Sequence, residues 1–489
     1  MTKVVDISNK PVVTVYVPCH SYGHFLEVAL ESVLAQSFRD WELIIVDDGS
    51  RDETAKITER FRKKLPEQIS VITHKKEKGL QACANSVLRV ARGRYVMRLD
   101  PDDYLDESAL LVLTSYLDEY PDVALVHPNY VYVDQNGNHL GVEQRQKSDG
   151  GEALLDLPAH GACSLVRKRV LKAVGGYDEN FDRQDGYDLW LKIVNRYPVG
   201  HVPTPLFYYR QHPGSLSSNK SQLLETRAKI KRAWVEKSSG SVKPSIVAVV
   251  GAKNTYSHLP NIVLTELAGQ VLLDYTLSTA LECNRFDMIL VTTDDPAVVE
   301  YTENYGNPKV RAHLRPDELS GDWVTEESVM SEVVSFLDKD GIHTDILVSL
   351  NVHCPLRKAE QIEKAIDTLL VYNVDSVVSV FEDYNLHYVH SSQGMEPLNP
   401  AMHRQIRVDR EALYTGNGAL LAAWTDSIGE VDMLSRKVGH IVMPWWDSLQ
   451  IKSKEDAWFV ESVMEKRING DMLLPRAWLT EGESDVVRS

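Results

Sequence analysis

The chain has 489 residues, 43% of them hydrophobic and 25% charged, with 53 basic against 70 acidic side chains and a formal charge of −17. That is ordinary globular composition at a length that calls for two domains or more. The acidic balance argues against nucleic-acid binding through a broad basic surface, so a phosphate-bearing ligand needs a metal or a local basic cluster to offset its charge.

Five scattered cysteines, Cys19, Cys83, Cys163, Cys283 and Cys354, form no CxxC pair, which indicates neither a zinc site nor a disulfide framework. The N-terminus lacks an apolar core of signal-peptide length, and no window approaches about 18 uninterrupted apolar residues. The expectation is a soluble, cytoplasmic protein with no membrane span.

Residues 12–18, VVTVYVP, read as a buried strand stopped by Pro18. After the polar turn CHSYGH, apolar residues recur at helical spacing (Leu26, Ala29, Leu30, Val33, Leu34). A second strand, Leu43 to Val46, ends in Asp47 and Asp48, and Asp52 is placed to cap a helix from Glu53 to Lys64. Strand, helix, strand, helix is a βαβα unit with a parallel sheet, whose ligands sit at the carboxyl ends of the strands. Pro18 to Tyr22, Asp47–Asp48 and Asp100 to Asp103 all fall at such ends, which predicts a pocket.

The stretch YVMRLDPDDY, Tyr95 to Tyr104, runs from an apolar strand into Asp100, Asp102 and Asp103. Carboxylates in this pattern suit a hard divalent cation, Mg²⁺ or Mn²⁺, able to bridge two phosphates. The competing reading is a solvated turn in which Asp102 or Asp103 caps a helix beginning near Glu107. Further on, Leu189, Trp190, Ile193 and Val194 form one apolar helix face, with Asp185 and Asp188 in its first turn. Acids there complement the helix dipole, and one of them is also a candidate general base.

The segments VVTVYVPCHSYGHFLEVALESVLAQSFRDWELIIVDDGSRDET, KGLQACANSVLRVARGRYVMRLDPDDYL, GGYDENFDRQDGYDLWLKI and FYYRQHPGSLS resemble, in order, the family-2 glycosyltransferases over roughly the first 220 residues. The resemblance implies a GT-A fold and transfer of a sugar from a nucleotide diphosphate sugar to a glycan or other hydroxyl acceptor. It implies that Pro18, His20 and Ser21 line the base pocket, that Asp48 beside Asp47 meets the base, and that Asn85 belongs to the nucleotide site. Asp100 and Asp102 would flank the diphosphate, with Asp102 as direct metal ligand and His212, next to Arg210, as a further one. An acid in the Asp185–Asp188 segment would deprotonate the acceptor in an inverting reaction. Asp185 is preferred over Asp188, although Gly186 interrupts the usual register. Tyr187 and Trp190 are sugar-stacking or core residues, and His160 is an acceptor-side candidate.

Ser221 to Lys237 reads as an exposed helix and SSGSVKPS as a joint. From Ile246 the strand–helix alternation restarts, giving a second α/β domain. LAGQVLLDYTLSTAL, VTTDD, CPLR, DSVVSV and NGALLAAW resemble the CMP-sugar synthetases. Their phosphate-gripping loop is rich in basic residues. Here it retains Lys253 but has Ser257, His258 and Ile262, and Gln450 and Lys452 replace the late acid pair, with Asp447 out of register.

The fold class is therefore α/β with two Rossmann-like nucleotide-sugar domains. A GT-A domain spans 1–220, a helix and linker 221–245, a degenerate cytidylyltransferase-like domain 246–470, and a polar tail 471–489. Expected partners are a nucleotide diphosphate sugar, a hydroxyl acceptor and a second copy bound through the C-terminal domain, with no nucleic acid. The alternatives are a bifunctional enzyme with a working synthetase and a non-catalytic sugar-binding or scaffolding protein.

Overall fold

The computed structural model describes residues 10–143, 161–181, 185–194, 196–212, 220–238, 243–321, 323–392, 394–398, 413–429 and 437–468. The chain divides into two compact units, Met1–Ala233 and Trp234–Ser489. Both are α/β, as the alternating patterns predict.

The first unit opens with β1 (Val13–Cys19), α1 (Gly23–Leu34), β2 (Trp41–Asp48), α2 (Thr54–Lys64), β3 (Ile69–His74), α3 (Leu80–Val90) and β4 (Tyr95–Arg98). It continues through β5 (Tyr104–Leu105), α4 (Ala109–Glu119), β6 (Leu125–Val133), β7 (His139–Glu143), β8 (Leu165–Arg167), α5 (Lys168–Ala173), α6 (Asp185–Val194), β9 (Val199–Arg210) and α7 (Lys220–Ser238). The strand order is β3-β2-β1-β4-β8-β6-β9-β5, with β7 paired to β6.

Strands β1 and β2 are buried at every position, as parallel strands covered on both faces must be. Helix α1 buries Leu26, Ala29, Leu30 and Val33, the stripe expected from their spacing. β1 lies parallel between β2 and β4, with Cys19 beside Asp47 and Tyr16 beside Arg98. The three strands therefore deliver their following loops to one edge.

Three local readings change. Asp52 accepts from the backbone and hydroxyl of Thr54 at 3.1 and 2.6 Å and also from the Gly23 backbone at 2.8 Å, so it joins α2 to α1 as well as supporting the helix start. Helix α4 is supported by Asp106, which accepts from the Ser108 N–H at 2.9 Å. Asp102 and Asp103 do not cap it, because they lie too far upstream and are engaged by β9. Helix α7 is not wholly exposed either, since Ile230, Lys231 and Val235 are buried.

The second unit contains β10 (Ile246–Ala252), β11 (Glu266–Leu267), β12 (Gln270–Val271), α8 (Leu272–Glu282), β13 (Met288–Thr293), α9 (Pro296–Glu303), β14 (Val310–Leu314) and α10 (Glu326–Lys339). Then come β15 (Ile346–Asn351), α11 (Ala359–Tyr372), β16 (Ser376–Asp383), β17 (Tyr388–Ser391), β18 (Gly394–Pro397), β19 (Leu413–Trp424), β20 (Val438–Val442) and α12 (Lys454–Ile468). Its main sheet runs β14-β13-β10-β15-β19-β16-β20, with β10 parallel to both β13 and β15. Among the described residues, no helix is long and apolar enough to cross a membrane.

Candidate active site

The first two loops are laced together by one serine. The Ser50 hydroxyl accepts from the Ser21 N–H at 2.9 Å and donates to the Cys19 carbonyl at 3.3 Å, while the Ser50 N–H donates to Asp47 at 3.0 Å. Ser21 adopts φ 58°, a left-handed conformation uncommon for serine, to make this turn. His20 Nδ1 lies 2.8 Å from the Asp48 carbonyl and its Nε2 lies 3.6 Å from the Glu77 carboxylate. Pro18 is a buried member of β1 opposite Val46.

Asp48 is 3% exposed. Its carboxylate accepts from His74 Nδ1 at 2.6 Å, from the Lys78 N–H at 3.0 Å and from the Gly79 N–H at 2.8 Å. Burial alone would raise its pKa. The His74 bond and the two backbone donors outweigh that and hold the carboxyl below the usual carboxylate range.

The third loop follows β4. Arg98 forms a two-pronged ion pair with Asp100, Nε to Oδ1 at 2.8 Å and the terminal nitrogen to Oδ2 at 3.0 Å. His212 Nε2 lies 3.0 Å from Asp102 Oδ2. Arg210, at the end of β9, donates from Nε to the Asp102 carbonyl at 2.8 Å and reaches the Asp134 and Gln135 carbonyls at 3.2 and 3.0 Å. Its backbone N–H bonds Asp103 at 2.9 Å. Burial, followed by the charges of Asp102 and Asp100, pushes the Asp103 carboxyl well above its ordinary range. Asp103 thus belongs to the scaffold, whereas Asp100 and Asp102 face the sheet edge.

The remaining sequence candidates divide. Asn85 uses its amide on the turn after α5, donating to the Tyr177 carbonyl at 2.9 Å and accepting from the Tyr177 N–H at 3.1 Å. Asp188 pairs with Lys192 at 2.6 Å and is 6% exposed. Tyr187 and Trp190 are both 2% exposed and pack in the core. Asp185 is the first residue of α6, but its side chain and His160 lie outside the described residues.

Gly186 explains the interrupted register of this segment. A Cβ at Gly186 would stand 3.1 Å from Gly161 Cα, and one at Gly161 would stand 3.0 Å from the Arg98 guanidinium. The two glycines let the first turn of α6 approach the Arg98–Asp100 pair. Arg98, Gly161 and His74 were not singled out by the sequence. Only the proximity of Arg98 to Asp100 in RLD offered a signal.

The donor set at Asp100, Asp102 and His212 is carboxylate oxygen and imidazole nitrogen, which fits Mn²⁺ or Mg²⁺. Of these three only Asp102 and His212 are within hydrogen-bond distance of each other; among the described residues, the trio whose ligand atoms lie within 4.8 Å of one another is Asp48, His74 and Cys83. That trio does not fit a hard cation. Burial, reinforced by the Asp48 charge, raises the Cys83 pKa, and the Asp48 oxygens are already engaged.

Residues 14–175 match glycosyl transferase family 2 and residues 248–405 match the cytidylyltransferase family. The UDP-Glc:alpha-D-GlcNAc-diphosphoundecaprenol beta-1,3-glucosyltransferase WfaP of Escherichia coli is 30% identical over 213 residues, covering 42% of this chain and 80% of that protein. The chain belongs to glycosyl transferase family 2. Chondroitin synthase of Escherichia coli is 26% identical over 196 residues, covering 40% of the chain and 28% of that protein. Two further curated relatives are likewise matched over 27% and 18% of their length, so the chain spans under a third of these relatives. Among solved structures, S. aureus TarS 1-349 in complex with UDP-GlcNAc is similar at 21% identity and a TM-score of 0.40, over 47% of this chain and 68% of that one.

In the cytidylyltransferase-like unit, the cations near the first loop are engaged by protein. Lys253 is 8% exposed and donates to the Ser320 carbonyl at 2.7 Å. Arg357 donates to the Asn351 and Ala419 carbonyls at 3.1 and 2.6 Å. Asp447 is buried and accepts from Gln361 at 2.8 Å. The Lys452 N–H bonds Asp456 at 2.9 Å.

Proposed function

We propose that the GT-A domain at residues 1–220, within the first unit, is a metal-dependent, inverting glycosyltransferase. It acts in the cytoplasm and moves a sugar from a nucleotide diphosphate sugar to a hydroxyl acceptor in surface-glycan synthesis. The observation that carries the reading is Asp102 paired with His212 beside Asp100, at the carboxyl end of β4 and next to the β1 and β2 loops. The names of the family relatives support the glycan context.

Asp100, Asp102 and His212 would hold Mn²⁺ or Mg²⁺, which would supply Lewis-acid stabilisation of charge on the diphosphate. The Cys19–Ser21 and Asp47–Ser50 loops bind the nucleoside. Asp185 takes the proton of the acceptor hydroxyl, whose oxygen bonds to the anomeric carbon opposite the departing diphosphate. Asp100, now paired with Arg98, would have to leave that pair to ligate a cation.

The second unit is proposed to be structural or regulatory and to form a homodimer. Light scattering showing a full-length monomer would remove the dimer. For the main reading, thermal shift with UDP, GDP, CDP and CTP, each with and without Mn²⁺, is the test. A metal-dependent shift with a nucleoside diphosphate is expected. No shift with any nucleotide would favour a scaffolding protein.

A further inference from the structure

The winding of the second sheet reverses beside β10. The chain leaves β10 for β13 and β14 on one side and returns to β15 on the other, with β10 parallel to both β13 and β15. The crevice outside the carboxyl ends of two such strands is where an open α/β sheet takes its ligand. The loops that follow β10 and β15 bring Tyr256, His258 and His353 together there.

His353 is 8% exposed. Its main chain is fastened on both sides: the N–H donates to Asn351 Oδ1 at 3.0 Å, and the carbonyl accepts from the Ile451 N–H at 2.9 Å. Its ring is not fastened. Both ring nitrogens are buried, and among the described residues neither has a hydrogen-bond partner. The Ile451 backbone acts on the ring electrostatically without reaching hydrogen-bond geometry. The Tyr256 ring stands edge-on to His353 at 5.4 Å, and the His258 ring is 5.5 Å from that of Tyr256. Buried polar atoms are paired in folded proteins with few exceptions, so an orphaned imidazole at a ligand crevice points to a group that pairs with it on binding.

Charge narrows what that group is. Burial, then His258, lowers the His353 pKa to about 4, so at neutral pH the ring offers one N–H and one lone pair. A phosphate or carboxylate oxygen only accepts and leaves the lone pair unanswered, whereas a hydroxyl donates as well as accepts. Lys253 lies 5.1 Å from the Tyr256 ring centre but donates to the Ser320 carbonyl at 2.7 Å. Asp294 and Asp295 accept from Asn254 and Thr255 of the β10 loop and add negative charge against an anion. Tyr256, half-buried, adds ring surface beside these polar groups.

We propose that this crevice binds an uncharged sugar, free or at the end of a glycan chain, with His353 pairing to its hydroxyls and Tyr256 as the wall it lies against. The inference rests on reading the second unit as structural or regulatory, and it gives that unit a ligand. Entry is from the β10 loop, which is exposed at Thr255, Ser257 and His258.

The test is isothermal titration of the full chain with glucose, galactose, N-acetylglucosamine and N-acetylgalactosamine, each as the free sugar and as a trisaccharide, and with glucuronate and N-acetylneuraminate. At least one neutral sugar is expected to bind. A tighter trisaccharide identifies a chain end, and equal affinity identifies the free sugar. His353→Leu should weaken binding roughly 10-fold or more, whereas His353→Gln, whose amide also offers a donor and an acceptor, should stay within roughly threefold of the parent. Tyr256→Ala should weaken binding likewise and serves if the leucine variant does not fold. The Mn²⁺-dependent nucleotide shift should be the same in all four proteins. Absence of binding by every neutral sugar overturns the inference and leaves the reading of the unit standing. So does an acidic sugar binding as tightly as the best neutral one, or affinity unmoved in folded His353→Leu or Tyr256→Ala protein. Binding of CTP with release of pyrophosphate would overturn the reading of the unit and this inference with it.

Discussion

Gly186 and Gly161 meet backbone to backbone: a Cβ added to the first would stand only 3.1 Å from Cα of the second. This contact sets how near the start of α6 can come to Arg98 and Asp100. Alanine at Gly186 gains about 1 kcal/mol of helix propensity, but it presses on main chain that cannot rotate away. Gly186→Ala is therefore expected to lower turnover at least roughly tenfold with its melting temperature nearly unchanged, the signature of displaced rather than unfolded machinery. Steady-state kinetics beside a melting curve decides it. Unchanged turnover would show that the spacing is irrelevant to transfer.

The two acids of α6 separate by what each is already doing. Asp188 is committed to Lys192 at 2.6 Å in a mostly buried pair. Asp188→Ala strands that lysine and should cost about 3 kcal/mol of stability. Asp185→Ala should instead abolish transfer while leaving Mn²⁺-dependent nucleotide binding and the melting temperature near those of the parent. Near-normal turnover in Asp185→Ala would remove it as the base.

Metal dependence tests the third loop. Asp102→Ala is expected to reduce transfer about 1000-fold and weaken metal-dependent nucleotide binding. His212→Ala should weaken Mn²⁺ affinity roughly 10- to 100-fold. Electron paramagnetic resonance of Mn²⁺ in the presence of nucleotide reads both without relying on turnover. Equal Mn²⁺ affinity in all three proteins would place the ion elsewhere.

Much of this arrangement was written locally. The β1, α1 and β2 runs announce their class by periodicity, and the acids of the β4 loop announce theirs by standing at a strand end. What stayed hidden depends on partners distant in the chain. Asp103 looks as ligand-like as Asp102 in DPDD, and only the Arg210 N–H, 107 residues on, withdraws it into the scaffold. The competing reading of Asp102 or Asp103 as the α4 cap fails because Asp106, nearer the helix, accepts from the Ser108 N–H, a choice spacing alone cannot make among the acids there. His74 gave no signal because its meaning comes from β2 and β3 lying side by side, with Asp48 paired to His74 in register.

Acid sensitivity follows from Glu42, 5% exposed, which accepts from the Thr14 hydroxyl at 2.7 Å and from Arg92 Nε at 2.7 Å. Burial opposes its charge, but those bonds prevail and keep its pKa below the usual range, as for Asp48. Both carboxyls bind protons less readily folded than unfolded. The unfolded chain therefore takes up more protons as pH falls, and the stability they contribute is present above about pH 4.5 and lost below it. Glu42→Gln should flatten the fall in melting temperature between about pH 5 and pH 3. A parallel fall in parent and variant would exclude Glu42 as a source.

The second unit should fail to use CTP, and the reason lies in where its charges point. Lys253 is held by the Ser320 carbonyl, and Arg315 donates to the Thr292 hydroxyl at 3.0 Å and carbonyl at 2.8 Å. Burial, then the neighbouring His258, drives the His353 pKa down to about 4, so it brings no charge at neutral pH. Asp294 and Asp295 accept from Asn254 and Thr255 of the loop itself and would add like charge against a triphosphate bound there. Titration of CTP with Mg²⁺ should give no binding heat and no pyrophosphate release with an acidic sugar. Lys452→Asp alone should restore neither, because an added metal ligand leaves the loop without a grip on phosphate. Pyrophosphate release by the unmodified chain would establish a working synthetase and end the reading of this unit as structural or regulatory.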